Sequence, residues 1–171
     1  MTTRSKIEPA RFVFQDDGAV PNNRLPFLVY RGAIDARDLA GTIEMTFREN
    51  GWGHGLWHNG IYPFVHYHSQ IHEVLGIAAG RARVRFGGRN GEELEVEAGD
   101  VAVLPAGTGH QRLSSTPDLL VIGSYPPEGQ YDLCRGTPAE HARALETIPR
   151  VPLPETDPLF GADGPLTKLW R

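Results

Sequence analysis

The most informative stretch of this chain reads Gly60-Ile-Tyr-Pro-Phe-Val-His66-Tyr-His68-Ser-Gln-Ile-His72-Glu73-Val-Leu-Gly-Ile-Ala-Ala-Gly80. Side chains two residues apart share one face of a β-strand, so His66 and His68 are expected to point in the same direction. A turn over residues 69–71 would lead into a strand that begins at Glu73. The Glu73 carboxylate can then reach back across the hairpin, which predicts two imidazoles and one carboxylate at a single point.

A second stretch supplies a third imidazole and reads Gly99-Asp-Val-Ala-Val-Leu-Pro105-Ala-Gly107-Thr-Gly-His110. A strand over residues 101–104 ends in a Pro-Ala-Gly turn, and His110 enters the strand that follows. Three imidazole nitrogens and one carboxylate oxygen suit one divalent transition metal per chain, namely Fe, Mn, Ni, Co, Zn or Cu. Four protein ligands on an octahedral ion would leave two positions for water, substrate or dioxygen.

His72 offers a competing ligand, because it is the direct neighbour of Glu73. Adjacent residues of a strand face opposite ways, so only one of the two can point to the metal. We favour Glu73 as the ligand and expect His72 to lie behind the ligands or at the surface.

The two stretches resemble the paired motifs of the cupin superfamily. The first motif, with the four-residue spacing of germin-like members before its glutamate, is met at Gly60, His66, His68, Glu73 and Gly80. Ser114 replaces the final asparagine of the second motif, whose other positions are met at Gly99, Pro105, Gly107 and His110. The flanking residues are similar to those of small single-domain bacterial cupins of the YjlB type, which have no assigned reaction.

The resemblance implies a cupin-type small β-barrel, also described as a double-stranded β-helix or jelly roll. It also implies a metal ion inside the barrel mouth, a homodimer, and metal ligands at His66, His68, Glu73 and His110. It does not imply one activity, because cupins include dioxygenases, isomerases, decarboxylases, storage proteins and ligand-binding domains.

The whole chain, residues 1–171, is expected to form one all-β domain. Its 20 glycines and 14 prolines favour short strands and many turns over long helices. We expect an N-terminal arm and helix over 1–50, a barrel core over 51–125 and a Pro-rich C-terminal extension with one short helix over 126–171. Strands are predicted at 27–30, 61–67, 74–79, 82–86, 94–96, 101–104 and 119–122. Helices are predicted at 36–49, with Asp35 as N-cap, and after Thr137, where a proline and Glu140 complete a capping pattern.

Charge and apolar patterning exclude several classes of partner. With 17 Lys and Arg against 21 Asp and Glu, the net charge of −4 provides no basic excess for a phosphate backbone, so no nucleic acid partner is expected. No apolar run approaches the roughly 18 residues of a membrane span, and residues 1–14 contain no signal-like apolar run. Cys134 is the single cysteine, which excludes an internal disulfide and fits a reducing cytoplasm.

Six further residues are candidates for the wall of a pocket around the metal, because they lie close to a ligand in sequence or precede the first motif: Trp57, Tyr62, Phe64, Gln70, His72 and Gln111. Tyr62 and Phe64 share strand parity with His66, although packing beneath the metal is the alternative for both. The glycine-rich loop 51–60 could close over the barrel mouth or contact a second subunit. Arg112 could also hydrogen-bond a substrate, and the roles of His54 and His58 are open.

These features favour a metal-dependent enzyme that acts on a small oxygen-bearing substrate, with dioxygenase-like or isomerase-like and lyase-like chemistry. No catalytic residue is assigned beyond the metal ligands. The alternative is a non-catalytic cupin that binds or senses a metal and a small molecule. A metal-free structural role is disfavoured, because a barrel core has no reason to bury three imidazoles and a carboxylate together. A proton-carrying group within reach of the metal would favour the enzyme.

Overall fold

A computed structural model describes residues 6–171 of the chain. Its strands are β1 (Ala10–Phe12), β2 (Phe27–Tyr30), β3 (His54–Asn59), β4 (Glu73–Ala79), β5 (Arg81–Phe86), β6 (Glu92–Glu97), β7 (Val101–Leu104), β8 (His110–Ser115) and β9 (Leu120–Tyr125). Its helices are α1 (Leu39–Glu49), α2 (Pro138–Thr147) and α3 (Pro165–Leu169), with a 3-10 turn at Ile148–Arg150. Residues 1–5, the start of the segment 1–14 in which no signal-like apolar run is found, lie outside the described residues.

The strands form two antiparallel sheets that face each other. One sheet has six strands in the order β1-β2-β7-β4-β9-β3, and the other has three in the order β6-β5-β8. Phe27 of the larger sheet stacks on Phe86 of the smaller one, with ring centroids 4.3 Å apart. The core between the sheets also contains Leu75, Ile77, Val84, Val96, Leu104 and Val121. The predicted all-β cupin barrel is confirmed.

The outer face of the six-stranded sheet is also covered. Ile43 and Phe47 of α1 and Leu166 and Trp170 from the C-terminal extension pack against it in a second apolar cluster. All residues of β2 and β7 are therefore buried, rather than alternating between core and solvent. The buried side of helix α1, formed by Ile43 and Phe47, is thus a packing surface.

Two tight turns in the histidine-bearing stretches depend on glycine. Gly80, between β4 and β5, has a φ of +73°, and a Cβ there would lie 2.5 Å from the hydroxyl oxygen of Thr116. Gly107 has a φ of +89°, and its Cβ would lie 2.6 Å from the carbonyl oxygen of Asn22. A side chain at either position would combine backbone strain with a clash.

Most predicted strands are confirmed, with small shifts of their ends, but three local predictions are wrong. Residues 61–67 do not form a strand, and the glycine-rich loop 51–60 contains strand β3, which pairs with β9. Helix α1 is capped by Asp38, which accepts a hydrogen bond from the Gly41 amide at 3.1 Å, and not by Asp35. A cap three residues later lets the chain leave β2 through a longer connection.

The C-terminal extension contains the predicted helix and a second one. The capping box of α2 is present at Thr137 and Glu140, as predicted. The short helix α3 was not predicted, and its Pro165 stands in the first turn, where a missing N–H is harmless. None of the helices in residues 6–171 has the length and apolar character that a membrane crossing requires.

Candidate metal centre

The two histidine-bearing stretches meet through backbone pairing. The His66 amide donates to the His110 carbonyl at 3.2 Å, and the His110 amide donates to the His66 carbonyl at 2.9 Å. The next residue, Tyr67, pairs in the same way with Cys134: the amide of each donates a hydrogen bond to the carbonyl of the other. The chain is therefore extended at residues 66–67 although no longer strand forms. This local extension sends His66 and His68 to the same side.

Glu73 reaches the same place from the start of β4. It pairs with Leu104, the last residue of β7, so it stands at the end of the barrel from which the Pro-Ala-Gly turn departs. Its side chain is 3% exposed. A bend at residues 69–70 separates Glu73 from the histidine pair, within the turn predicted over residues 69–71.

The four side chains predicted as ligands lie together. The imidazoles of His66, His68 and His110 each offer a nitrogen, and these nitrogens lie within 4.8 Å of one another. The Oε1 atom of Glu73 is 3.5 Å from Nε2 of His68 and 3.4 Å from Nε2 of His110. All four residues are buried.

The other nitrogen of each imidazole bonds to a backbone carbonyl. The Nδ1 atoms of His66, His68 and His110 lie 3.0, 2.5 and 3.1 Å from the carbonyl oxygens of Phe64, Asp132 and Thr108 respectively. A carbonyl accepts only, so each Nδ1 carries a proton and donates it. In a neutral imidazole this leaves a lone pair on Nε2. Metal-binding histidines are oriented in the same way by outer hydrogen bonds.

One carboxylate oxygen of Glu73 has no hydrogen-bond partner within the described chain. This oxygen, Oε1, is buried. Burial alone would raise the pKa of this carboxyl, but the neighbouring imidazoles of His68 and His110 lower it. Burial lowers the pKa of His66 to about 3, so this imidazole is neutral. A lowered carboxyl pKa and three imidazole nitrogens within 4.8 Å of one another fit a divalent transition ion.

His72 is placed away from this cluster, on the opposite side of the chain from Glu73. Its Nδ1 accepts a hydrogen bond from the Ala106 amide at 2.9 Å, and its Nε2 lies 3.2 Å from the carbonyl of Pro152. Its ring lies against Trp170, with centroids 4.9 Å apart. Both nitrogens are occupied by the protein, so His72 joins the C-terminal extension to the turn before His110.

The cluster opens into a cavity of about 660 Å³ at the barrel mouth. Trp57 and Tyr62 line this cavity, together with the exposed His54 and His58 of β3. The remaining wall includes Ile61, Pro63, Ile71, Leu75, Arg112, Tyr125, Pro126, Pro127 and Tyr131. Pockets of this size with a few convergent polar groups suit small organic molecules.

Four of the six candidate wall residues lie elsewhere, which corrects their sequence-based placement. The Phe64 ring stacks on that of Tyr62. On Phe64 also lies the guanidinium of Arg135, whose Cζ atom is 3.7 Å from the centroid of the Phe64 ring. Gln111 points out of the barrel and donates to the carbonyl of Pro63 at 3.2 Å. Gln70 and the buried His72 do not line the cavity either. In a strand, Phe64 and His66 would point to the same side. Residues 61–65 do not form a strand, so this rule did not predict where the Phe64 side chain points.

Comparison with known proteins agrees with the motifs. The sequence profile of the family described as Cupin matches residues 57–130. Across 164 residues the chain is 39% identical to the uncharacterized protein YjlB of Bacillus subtilis (strain 168), covering 95% of this chain and 97% of that protein. The chain belongs to the cupin family. The resemblance of the two histidine-bearing stretches to cupin motifs is thus confirmed.

Solved structures similar to this cupin include two from other bacteria. A DUF861 family protein from Thermotoga maritima is 16% identical with a TM-score of 0.36, over 57% of this chain and 96% of that one. An acireductone dioxygenase from Bacillus anthracis with a cadmium ion in its active center is 18% identical with a TM-score of 0.37, over 53% and 61%. Similarity at this level carries no argument about the reaction.

Two cavity tyrosines of this cupin were not found from the sequence. Tyr125 ends β9, and its hydroxyl oxygen accepts a hydrogen bond from Nε1 of Trp57 at 3.0 Å. Burial and then the charge of Glu73 raise the pKa of Tyr125, so the phenol keeps its proton. Tyr131 lies in the following loop, with its ring 5.1 Å from that of His68. Both positions depend on the pairing of β9 with β4, which leaves no local signal in the sequence.

Proposed function

We propose that this cupin is a metal-dependent enzyme that acts on a small oxygen-bearing organic substrate at the cluster of His66, His68, Glu73 and His110. The observation that carries the proposal is the convergence of one nitrogen from each of His66, His68 and His110, with two of these imidazoles beside a buried Glu73 oxygen that accepts no hydrogen bond from the described chain. A divalent transition ion held there would supply Lewis acidity or, if redox-active, chemistry with dioxygen.

The chain's own residues supply the other elements of a reaction site. Trp57 donates a hydrogen bond to the oxygen of the Tyr125 hydroxyl, so the hydroxyl proton is directed away from the indole. Tyr125 can then donate this proton, or a hydrogen bond, to an oxygen atom of a substrate in the cavity. This proton-carrying group beside the cluster supports an enzyme over a site that only binds a ligand.

The ligand set is tested by elemental analysis of protein purified without added metal. We expect about one transition ion per chain in the unmodified protein, and little or none in His66→Ala. Circular dichroism of the two proteins should agree, because His66 lies at the open end of the barrel. Equal metal content in the variant would refute the ligand assignment.

Turnover is tested with protein loaded separately with Fe(II), Mn(II) and Ni(II). Oxygen uptake and product formation are followed across a panel of diketones, catechols, thiols and sugar acids. Tyr125→Phe should keep its metal content but lose about 100-fold in kcat. Tyr67→Phe is the matched control, because the Tyr67 hydroxyl is buried without a partner and does not face the cavity. Metal and ligand binding without turnover would instead identify a binding or sensing cupin.

We also propose that residues 1–171 form one cupin domain that pairs as a homodimer in a reducing cytoplasm. The cupin membership supports the dimer, and the free, buried thiol of Cys134 supports the compartment. Burial raises the pKa of this thiol to about 12, so it is unreactive. Light scattering of the purified protein measures the assembly, and a monomer would contradict it.

A further inference from the structure

Arg112 is the charged residue of the cavity wall that the metal cluster does not use. It lies two residues after His110 on β8, and both side chains project from the same face of the strand. His110 is buried at the cluster, whereas Arg112 is partly exposed, so Arg112 lies nearer the mouth. Their register against β5 is continuous, with His110 opposite Phe86 and Arg112 opposite Val84.

The guanidinium of Arg112 has no protein partner among residues 6–171. It makes no ion pair and donates no hydrogen bond there, whereas Arg85, which faces the other side of the same sheet, pairs with Glu93 at 2.7 Å. The acidic residue of the cavity wall is Glu73, which belongs to the metal cluster. A partly buried guanidinium without an acceptor is matched by an anion that enters the cavity.

The rest of the wall describes the body of that anion. Trp57, Tyr62 and Tyr131 present aromatic surface, and the last two are 45% and 52% exposed in the cavity mouth. Ile71 and Leu75 add aliphatic surface deeper inside. A single guanidinium, without a second Lys or Arg in the wall, suits the one charge of a carboxylate.

We propose that Arg112 selects the substrate by binding the carboxylate of an organic acid whose planar, apolar body packs between Trp57, Tyr62 and Tyr131. This inference rests on the proposed function, because it uses the same cavity. It goes beyond that function by naming the class of substrate. The acid would lie with its carboxylate toward the mouth and its other oxygen-bearing end toward the cluster.

The test is a binding measurement that needs no turnover. Calorimetry compares benzoate, phenylacetate and 3-phenylpropionate with the corresponding neutral amides, using the protein as purified. At least one acid should bind about tenfold or more tightly than its amide, the equivalent of about 1.4 kcal/mol. Arg112→Gln should abolish this preference while its metal content stays unchanged. Arg83→Gln, on the exposed face of β5, is the matched control and should keep the preference.

The outcomes separate this inference from the proposed function. A carboxylate could also bind the metal directly, so the titration is repeated after chelation, when an Arg112-dependent preference should remain. Equal binding of acids and amides, no binding of any acid, or a preference that survives Arg112→Gln would each overturn the role of Arg112. None of these results would alter the metal content, which tests the proposed function separately.

Discussion

Two buried carboxylates, Glu73 and Asp157, lie on opposite sides of the six-stranded sheet. Asp157 is 0% exposed and is surrounded by donors from the protein. The Tyr30 hydroxyl and the Leu166 amide donate to its Oδ2, and the amides of Leu159 and Phe160 donate to its Oδ1. Glu73 is equally buried, yet its Oε1 accepts no hydrogen bond from the described chain. The described chain supplies four donors to the Asp157 carboxylate and none to Oε1 of Glu73.

The histidines repeat this contrast. Both nitrogens of His72 have backbone partners, so this imidazole is part of the scaffold. The imidazoles of the cluster each have one backbone partner, and the remaining nitrogens of His68 and His110 lie beside Glu73. Burial therefore does not distinguish a structural group from a functional one, whereas the number of satisfied hydrogen-bonding atoms does.

The largest expected effect is at Asp157. Asp157→Ala leaves three amides and the Tyr30 hydroxyl without an acceptor, so we expect a loss of about 4 kcal/mol in the free energy of unfolding. Urea denaturation measures it, with and without added metal. The loss should be the same in both conditions. A metal-dependent loss would mean that the two carboxylates are coupled, and the contrast between them would fail.

Glu73→Gln should behave in the opposite way. Without metal, the variant should unfold within about 1 kcal/mol of the unmodified protein, because an unsatisfied charge is removed and the new amide can donate to the imidazoles. The unmodified protein should gain about 2.7 kcal/mol in Ni(II) at a hundredfold excess over its Kd. The variant should lose most of this gain. A full gain in the variant would remove Glu73 from the ligand set.

His72→Ala sharpens the contrast between the two kinds of histidine. It removes the acceptor of the Ala106 amide and leaves space beside Trp170, so we expect a loss of about 2 kcal/mol of stability. Its metal content should be unchanged, in contrast to His66→Ala. If His72→Ala lost its metal while Glu73→Gln kept it, the choice between these neighbours as ligand would be wrong.

The smallest effect is expected at Asp132, whose carbonyl holds the His68 ring. The Asp132 carboxylate accepts hydrogen bonds from the amide and the hydroxyl of Ser69, which fixes that carbonyl beside the cluster. Asp132→Ala should weaken metal affinity about tenfold without abolishing it. Titration against a competing chelator measures this change. Asp118→Ala, at an exposed position, serves as the control, and equal affinities in the two variants would show that the carboxylate does not position His68.

The sequence predicted the parts of the site that are set by local periodicity. Strand β7, the start of β4 at Glu73 and the entry of His110 into β8 follow from apolar runs between glycine and proline turns. The opposite directions of Glu73 and His72 follow from strand alternation. The motif histidines converge although residues 61–65 are irregular, because His66 is held by pairing with His110.

The parts that the sequence did not predict depend on contacts distant along the chain. Residues 54–59 look like a glycine-rich loop, but pairing with β9 makes them a strand, with an irregular register between His54 and Trp57. That same pairing brings Trp57 to the Tyr125 hydroxyl. Strand alternation could have favoured Arg112 over Gln111 as a cavity residue. In a strand that begins at His110, the side chain of Arg112 points to the same side as that of His110, and the side chain of Gln111 points to the other.

The place of Trp170 has a consequence for biosynthesis. Its indole is 3% exposed, lies against His72 and donates a hydrogen bond to the carbonyl of Pro26, which precedes the second strand of the fold. The outer layer of the sheet therefore cannot close until residues 157–170 have left the ribosome. Until then, the part of the sheet's outer apolar face that α1 does not cover is open to nascent-chain chaperones and to aggregation. Folding of this protein is thus completed after translation of its last helix.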